Sequence, residues 1–273
     1  MGVLLGLLCA LSYGTGDYLG GRATRRTPAA SVVLLVQLAG AVGMAVVIAV
    51  DRTRLASGAD LARGAGSGIA GAAGLALLYR QLSLHRAAVV APVTAVCGAL
   101  VPVTWGIVRG ERPPALAIAG IVVALAAIVT VSGAGRGPVD GAGLAAVAGF
   151  VLGTTLVLFA ATSHSSGLWP VATARCSAAV VVVLALLVAR RLKLPEAHSR
   201  PAALGAGVLD TAGNVFLQIG VRHGLLTVVS PIVALAPAAT VLFARVVDTE
   251  HIGLERAVGL ALTVVAVALL ALS

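Results

Sequence analysis

Charge is scarce in this 273-residue chain: 11% of its side chains are Asp, Glu, Lys or Arg, against 59% hydrophobic and a mean hydropathy of +1.06. That is too little polar side chain to clothe a water-soluble globule of this size, so a bilayer must serve as its solvent. Aromatics make up 3%, which speaks against an aromatic cage for a cation and against the stacking platforms of single-strand nucleic-acid binders. Cys9, Cys97 and Cys176 stand alone in apolar runs, and an odd number leaves at least one unpaired, so buried free thiols are expected. Catalytic patterns are missing too. His85, His164, His198, His223 and His251 show no HExxH or other ligand spacing, no clustered acids could hold magnesium, and neither GxSxG nor a Walker pattern occurs. No enzyme activity, catalytic residue, metal or cofactor is expected.

What the chain has in abundance is apolar runs. Crossing a hydrocarbon core of about 30 Å takes roughly 20 apolar residues as a helix, because lipid offers the backbone no hydrogen-bond partners and a helix satisfies its own. The runs predict an all-α polytopic membrane protein with ten transmembrane helices, near 2–20, 30–50, 64–79, 87–108, 115–133, 141–161, 168–189, 202–221, 224–244 and 253–272. The first run lacks a basic segment ahead of it, and Leu8 before Cys9 does not suit a lipoprotein cleavage site, so it is expected to remain as helix 1. The connections are short and leave no room for a soluble domain. The net charge of +9 is almost wholly arginine lying between the runs, where it reads as topology signal and lipid-headgroup contact, with no nucleic-acid partner. Loops on the side of the termini carry six basic residues and the opposite side twelve, so the positive-inside rule places both termini outside.

Internal repetition organises the chain. Pro92 pairs with Pro231, Glu111 with Glu250 and Gly120 with Gly259, each pair 139 residues apart, and Val89-Val90 matches Val228-Val229 at the same separation. Upstream, a separation of 137 matches Gly6 with Gly143, Tyr13 with Phe150 and Gly16 with Gly153, as if two residues were inserted in an intervening loop. Two units follow, residues 1–135 and 136–273. Each holds five helices, an odd number, so the second must enter the membrane from the opposite side. Inverted repeats are a common transporter architecture, because halves packed in opposite orientations can exchange conformations and open a central site to either face in turn. Duplication within a non-transporting membrane protein is the alternative.

The segment Leu78-Tyr-Arg-Gln-Leu-Ser-Leu-His-Arg-Ala-Ala-Val-Val-Ala-Pro-Val93, with Gly110-Glu-Arg-Pro113 and the apolar helix after it, resembles an EamA-type domain of the drug/metabolite transporter superfamily. The second half echoes it in Val228-Val-Ser-Pro-Ile-Val233, Thr249-Glu250 and Gly259. The start, Tyr13-Gly-Thr-Gly-Asp-Tyr-Leu-Gly-Gly21 with Arg25-Arg26, is similar to a subgroup of bacterial EamA-type proteins whose substrates are mostly unassigned. The resemblance implies two EamA-like repeats, ten helices and a carrier function, and it implies termini on the inner face, the reverse of the arginine count. The second copy departs from it by replacing Gly110-Glu-Arg-Pro113 with Thr249-Glu-His-Ile252 and Asp17 with Thr154, so a role for Asp17 is not symmetric.

The repeated positions read as hinges and structural residues. Pro92 and Pro231 fall a few residues inside helices 4 and 9, where a missing N–H and a ring clash weaken the helix; hinge and simple punctuation both remain open. Pro102 and Pro237 lie deeper and are expected to kink their helices. Glu111 and Glu250 precede helices 5 and 10, where a carboxylate favours the positive N-terminal end of the next helix. Gly120 and Gly259 are expected to allow close helix packing.

Ionisable groups in mid-span are different, because an Asp or Arg at a helix centre costs about 2.5–3.5 kcal/mol even on the lower scales. Asp210 lies near the middle of helix 8, with Asn214 and Gln218 on the same face at i+4 and i+8. Arg175, some turns into helix 7, is within reach of either Asp210 or Asn214, and Gln37 sits near the corresponding place in the first unit. These residues, with Tyr13 and Tyr79, form the expected substrate-binding set of a central cavity. A buried ion pair that only locks helices 7 and 8 together is the alternative. Asp17, among Gly14, Gly16 and Gly20, reads as interfacial. Asp210 is placed ahead of Asp17 as the proton-coupling group because it lies deeper. The expectation is a secondary transporter of the cytoplasmic (inner) membrane, monomer or homodimer in contact with lipid, moving a small metabolite or drug-like molecule by alternating access. A lipid-translocating or scaffold protein is the other reading.

Overall fold

Helix follows helix along the chain. A computed structural model describes residues 1–25, 27–51, 54–84, 87–131, 142–247 and 253–273. Among them every long element is helical: α1 (Gly2–Thr24), α2 (Ala29–Asp51), α3 (Gly58–Leu84), α4 (Ala87–Val108), α5 (Ala115–Val131), α6 (Ala142–Ala160), α7 (Trp169–Val188), α8 (Arg200–Gly220), α9 (Leu226–Val233), α10 (Ala236–Val247) and α11 (Leu254–Ala271). Six of the described helices are long and apolar enough to cross a membrane, and four shorter apolar stretches, Val93–Val108, Ala115–Thr130, Leu226–Thr240 and Ala257–Ala271, occupy the remaining runs.

Polarity is inside out. Val42, Val46, Val122, Leu184, Val208 and Val264 turn outward, while Gln37, Gln81, Thr94, Arg175 and Gln218 are buried. Continuous apolar surface of this kind aggregates in water and is at rest in lipid, where the interior instead collects the groups that need partners.

Two elements depart from the expected helices. α3 begins ahead of residue 64 because Ser57 Oγ accepts the Asp60 N–H at 3.2 Å, a side-chain cap of the kind that starts helices. Asp60 and Arg63, charged enough to read as loop, pair at 2.9 Å within the first turns. The expected helix 9 is two helices. Pro237 has no N–H to give the Val233 carbonyl and its ring crowds that carbonyl, so the chain turns tightly at Ala234-Leu235. There Leu235 N–H donates to Ile232 O at 3.1 Å and Ala238 N–H to Leu235 O at 2.9 Å. Pro237 therefore breaks its helix outright, whereas Pro231 sits inside α9 without ending it and α4 runs on through Pro102. The Pro92 side chain lies outside the described residues.

Helices of one half pack mainly on helices of the other. α1 lies against α8 and α10, α3 against α6 and α7, α4 against α6, α2 against α7 and α8, and α5 against α11. Exchanging each helix for its counterpart in the other half turns this set of pairs into itself. The contacts also give the directions. Gly2 meets Gly224 while Gly16 meets Ala206, so α1 and α8 are antiparallel; Gly66 faces Leu158 while Gly74 faces Leu152, giving α3 and α6 the same relation. Gly120, near the start of α5, rests on Leu270 at the end of α11. α5 and α11 are counterparts, so their antiparallel packing means that the two halves run in opposite senses.

Gly120 leaves no room for a side chain, since a Cβ there would stand 2.8 Å from Leu270 Cγ; Gly259 is buried in α11. Tight crossings also occur at a further pair 139 apart, Gly68 and Gly207. A Cβ on Gly68 would collide with the Ala174 carbonyl of α7, and one on Gly207 would come 2.7 Å from the Val36 carbonyl oxygen of α2. Because backbone cannot swing aside as a side chain does, Gly68→Ala is expected to lose about 1–3 kcal/mol and Gly207→Ala somewhat less. Thermal unfolding in detergent micelles measures both, and a Gly68→Ala protein as stable as the parent contradicts the crossing.

Candidate functional site

α7 opens with Pro170 near its start, where a missing N–H is harmless, and buries a face of small residues, Ala172, Ala174, Ala178 and Ala179. Arg175 shares that face and is 5% exposed. It is tolerated there because its terminal nitrogens are answered: Nη1 pairs with Asp210 Oδ2 and donates to Gln37 Oε1 at 3.3 Å, and Nη2 donates to the Asp210 carbonyl at 2.8 Å. Gly40 of α2 clears the path of the guanidinium, since a Cβ there would stand 3.1 Å from Arg175 Cδ and 2.7 Å from Thr211 Oγ1. One turn beyond Asp210, Asn214 Nδ2 donates to the same Asp210 carbonyl at 2.8 Å.

A cavity of about 420 Å³ lies beside this cluster, between the halves, within the range of small-molecule sites. Tyr13, Asp17, Gln37, Arg175, Asp210 and Asn214 form one wall; Gly71, Leu75, Ala95, Gly98, Leu152 and Leu156 face them. Ser230, Val233 and Pro237 enter at the break between α9 and α10. Many lining positions are repeat partners: Gly71 with Asp210, Leu75 with Asn214, Thr94 with Val233, Ala95 with Ala234 and Gly98 with Pro237 are each 139 apart. The cavity thus straddles the junction of the repeats, with the Asp210–Arg175 pair contributed by the second half alone. The apolar partners Gly71 and Leu75 escaped the sequence reading, although the 139-residue separation applied to Asp210 and Asn214 points to them.

Several expected residues sit elsewhere or differently. Gln218 does not reach the cavity. Eight residues beyond Asp210 is about 12 Å along the axis, past the cavity's end, and there Gln218 is fully buried and donates to Thr162 Oγ1 at 2.7 Å. Asp17, read as interfacial, is on the cavity wall one turn from Tyr13, whose ring lies on Gly213 of α8. Among the described residues no cation forms an ion pair with Asp17. The side chain of Tyr79, and Glu250 as a whole, lie outside the described residues.

Glu111 caps a helix, but not the one that follows it. Its Oε1 accepts the Leu226 N–H at 3.0 Å and its Oε2 the Thr227 N–H at 2.9 Å, so it closes the N-terminus of α9 in the other half. The turn that aims it there is a glycine stop. Gly110 takes φ 92°, and the Gly110 and Glu111 N–H groups donate to Ile107 and Gly106 carbonyls at 3.0 and 2.9 Å, the paired bonds that end a helix in a left-handed residue.

The end of the bundle near Met1 carries a second polar group. Asp60, 1% exposed, accepts the Ser163 N–H at 3.2 Å and the Ser163 hydroxyl. Arg222 donates to Ser163 O, Ser166 Oγ and Gly167 O at 3.2, 2.8 and 2.9 Å. With Gln218 and Thr162 these bonds tie the start of α3 to the α6–α7 and α8–α9 connections.

The pattern of the EamA-like transporter family matches residues 1–133 and again residues 140–272. Among solved structures, one described only as the crystal structure of a protein superposes with a TM-score of 0.79 at 21% identity, over 99% of this chain and 96% of that one. A likeness at that identity speaks for the fold alone. No curated protein matches the chain.

Proposed function

Because the chain belongs to the EamA-like transporter family, within the drug/metabolite transporter superfamily, we propose that it is a secondary transporter carrying a small molecule across the cytoplasmic membrane by alternating access. In this reading it makes ten passes, with α9 and α10 together as one, in two inverted five-helix units, residues 1–135 and 136–273.

The supporting observation is where the cavity runs. Its lining comes from both halves: α1 (Tyr13, Asp17), α3 (Ser67 to Leu78) and α4 (Thr94 to Ala99) in the first, and α6 (Leu152 to Leu156), α7 (Ala174 to Ala178), α8 (Asp210, Asn214) and α9 (Ser230, Val233) in the second. These are the middle turns of the bundle, a place that inverted halves can open to either face in turn. The end near the termini is braced by Asp60, Ser163 and Arg222. Each such bond is worth about 0.5–1.5 kcal/mol net, somewhat more where a charge takes part, so water can replace the brace when that end opens. Of the two carboxyls considered for proton coupling, Asp210 is committed to Arg175, which leaves Asp17 as the exchangeable one.

The test places a single cysteine at Leu75→Cys in a chain whose Cys9, Cys97 and Cys176 are replaced by alanine. A membrane-impermeant maleimide is expected to label it from the face away from the termini only. Arg222→Ala, which removes three bonds of the brace, is expected to raise labelling from the other face about tenfold, the equivalent of roughly 1.4 kcal/mol. Equal labelling from both faces in the parent, or no response to Arg222→Ala, overturns alternating access at this cavity. Labelling only by a lipid-soluble maleimide points instead to lipid translocation.

A further inference from the structure

The cavity is unbalanced in charge. Asp17 and Asp210 both line it, and Arg175 is the one cation among its described lining residues. That arginine is already spent: its side chain is 6% exposed while the Asp210 side chain is 35% exposed, and both of its terminal nitrogens are engaged by Asp210 and Gln37. Its Nε alone lacks a partner and is buried, so an anionic cargo finds no exposed charged donor among the described lining residues. Even the Asn214 amide is given to the Asp210 carbonyl. Asp17 is exposed on the cavity wall with no described cation paired to it, so the described lining is one positive charge short.

Among the described residues the charge is also confined to one wall. Across from Asp17 and Asp210 stand Gly71, Leu75, Gly98, Leu152 and Leu156, without a formal charge. A complementary molecule therefore has its charge at one end and a compact apolar body at the other. Resting on the transporter reading, we propose that the cargo is an amphipathic organic cation, an ammonium compound whose head sits between Asp17 and Asp210 and whose body lies on the α3–α4–α6 wall. Asp17 supplies the unneutralised carboxylate; Asp210, held by Arg175, orients the head without releasing its own partner.

Four probes with a common phenyl body separate the charge types in equilibrium binding to the purified full chain: phenethyltrimethylammonium, 3-phenylpropionate, phenylalanine and 2-phenylethanol. The cation is expected to bind at least tenfold more tightly than each of the others. Asp17→Asn is expected to weaken the cation at least tenfold while leaving 2-phenylethanol unchanged, and Asp17→Glu to restore most of the loss. Should Asp17→Asn fold poorly, protection of Leu75→Cys from maleimide provides a second readout with Asp17 intact: the cation is expected to slow labelling and 3-phenylpropionate not to. Absence of cation binding, equal or tighter binding of any other probe, or an Asp17→Asn protein with unchanged cation affinity overturns the proposal. The face-dependent labelling of Leu75→Cys reads the transporter proposal separately. Face-dependent labelling with an anion preference ends the cargo class alone, and cation binding with labelling equal from both faces leaves a cation site without transport.

Discussion

Asp210→Ala is expected to destabilise the protein by about 3–5 kcal/mol, more than Arg175→Gln, because removing one partner of a buried pair leaves the other charge uncompensated. The asymmetry comes from the setting of the two groups. The Arg175 side chain is 6% exposed and that of Asp210 is 35% exposed. Without Asp210 the guanidinium is stranded where water does not reach, and an arginine does not shed its charge. Without Arg175 the carboxylate still faces the cavity, where water or a proton can satisfy it. Replacing both, as Arg175→Met with Asp210→Leu, is expected to recover most of the stability, since apolar substitutes of similar volume often equal a buried pair. Uptake of labelled phenethyltrimethylammonium into proteoliposomes then separates lock from function. Folded single and double variants that transport as well as the parent would reduce the pair to a helix clamp.

Glu111→Ala is expected to cost about 2–4 kcal/mol, from the loss of two charge-assisted bonds and the burial of two unsatisfied donors. Leu226 is 3% exposed and Thr227 is fully buried, so solvent does not take over from the carboxylate. Glu111→Gln keeps one acceptor oxygen for two N–H groups and should fall between parent and alanine. The consequence reaches the cavity, because α9 carries Ser230 and Val233 on the cavity lining and ends at the break before α10. Melting temperature and amide exchange at Leu226 and Thr227 measure the effect; exchange as slow in Glu111→Ala as in the parent would deny the cap.

Element boundaries were legible wherever hydropathy alone sets them, as in α4, expected at 87–108 and observed at Ala87–Val108. They failed where a specific contact decides. Asp60 and Arg63 read as loop because two charges in three residues do not enter lipid unaided, yet Ser57, Ser163 and each other make them part of α3. The polar stripe of α8 was readable as a face from its spacing, but not its length of use: Asp210 and Asn214 line the cavity and Gln218 leaves for Thr162. For Asp17 a position nearer the far end of helix 1 suggested the membrane interface; its place on the cavity wall depends on how α1 meets α8.

By itself the sequence determined the solvent, the helices and the duplication, because each is written in runs or spacings along one chain: an apolar stretch needs lipid, and a fixed separation of 139 or 137 needs two copies. Only the tertiary structure decided who answers whom. Glu111 caps a helix 115 residues away, and Arg175 meets Gln37 across 138, and both contacts follow from two halves packed in opposite senses. A hydrogen bond acts over about 3 Å of space, whatever the distance along the chain.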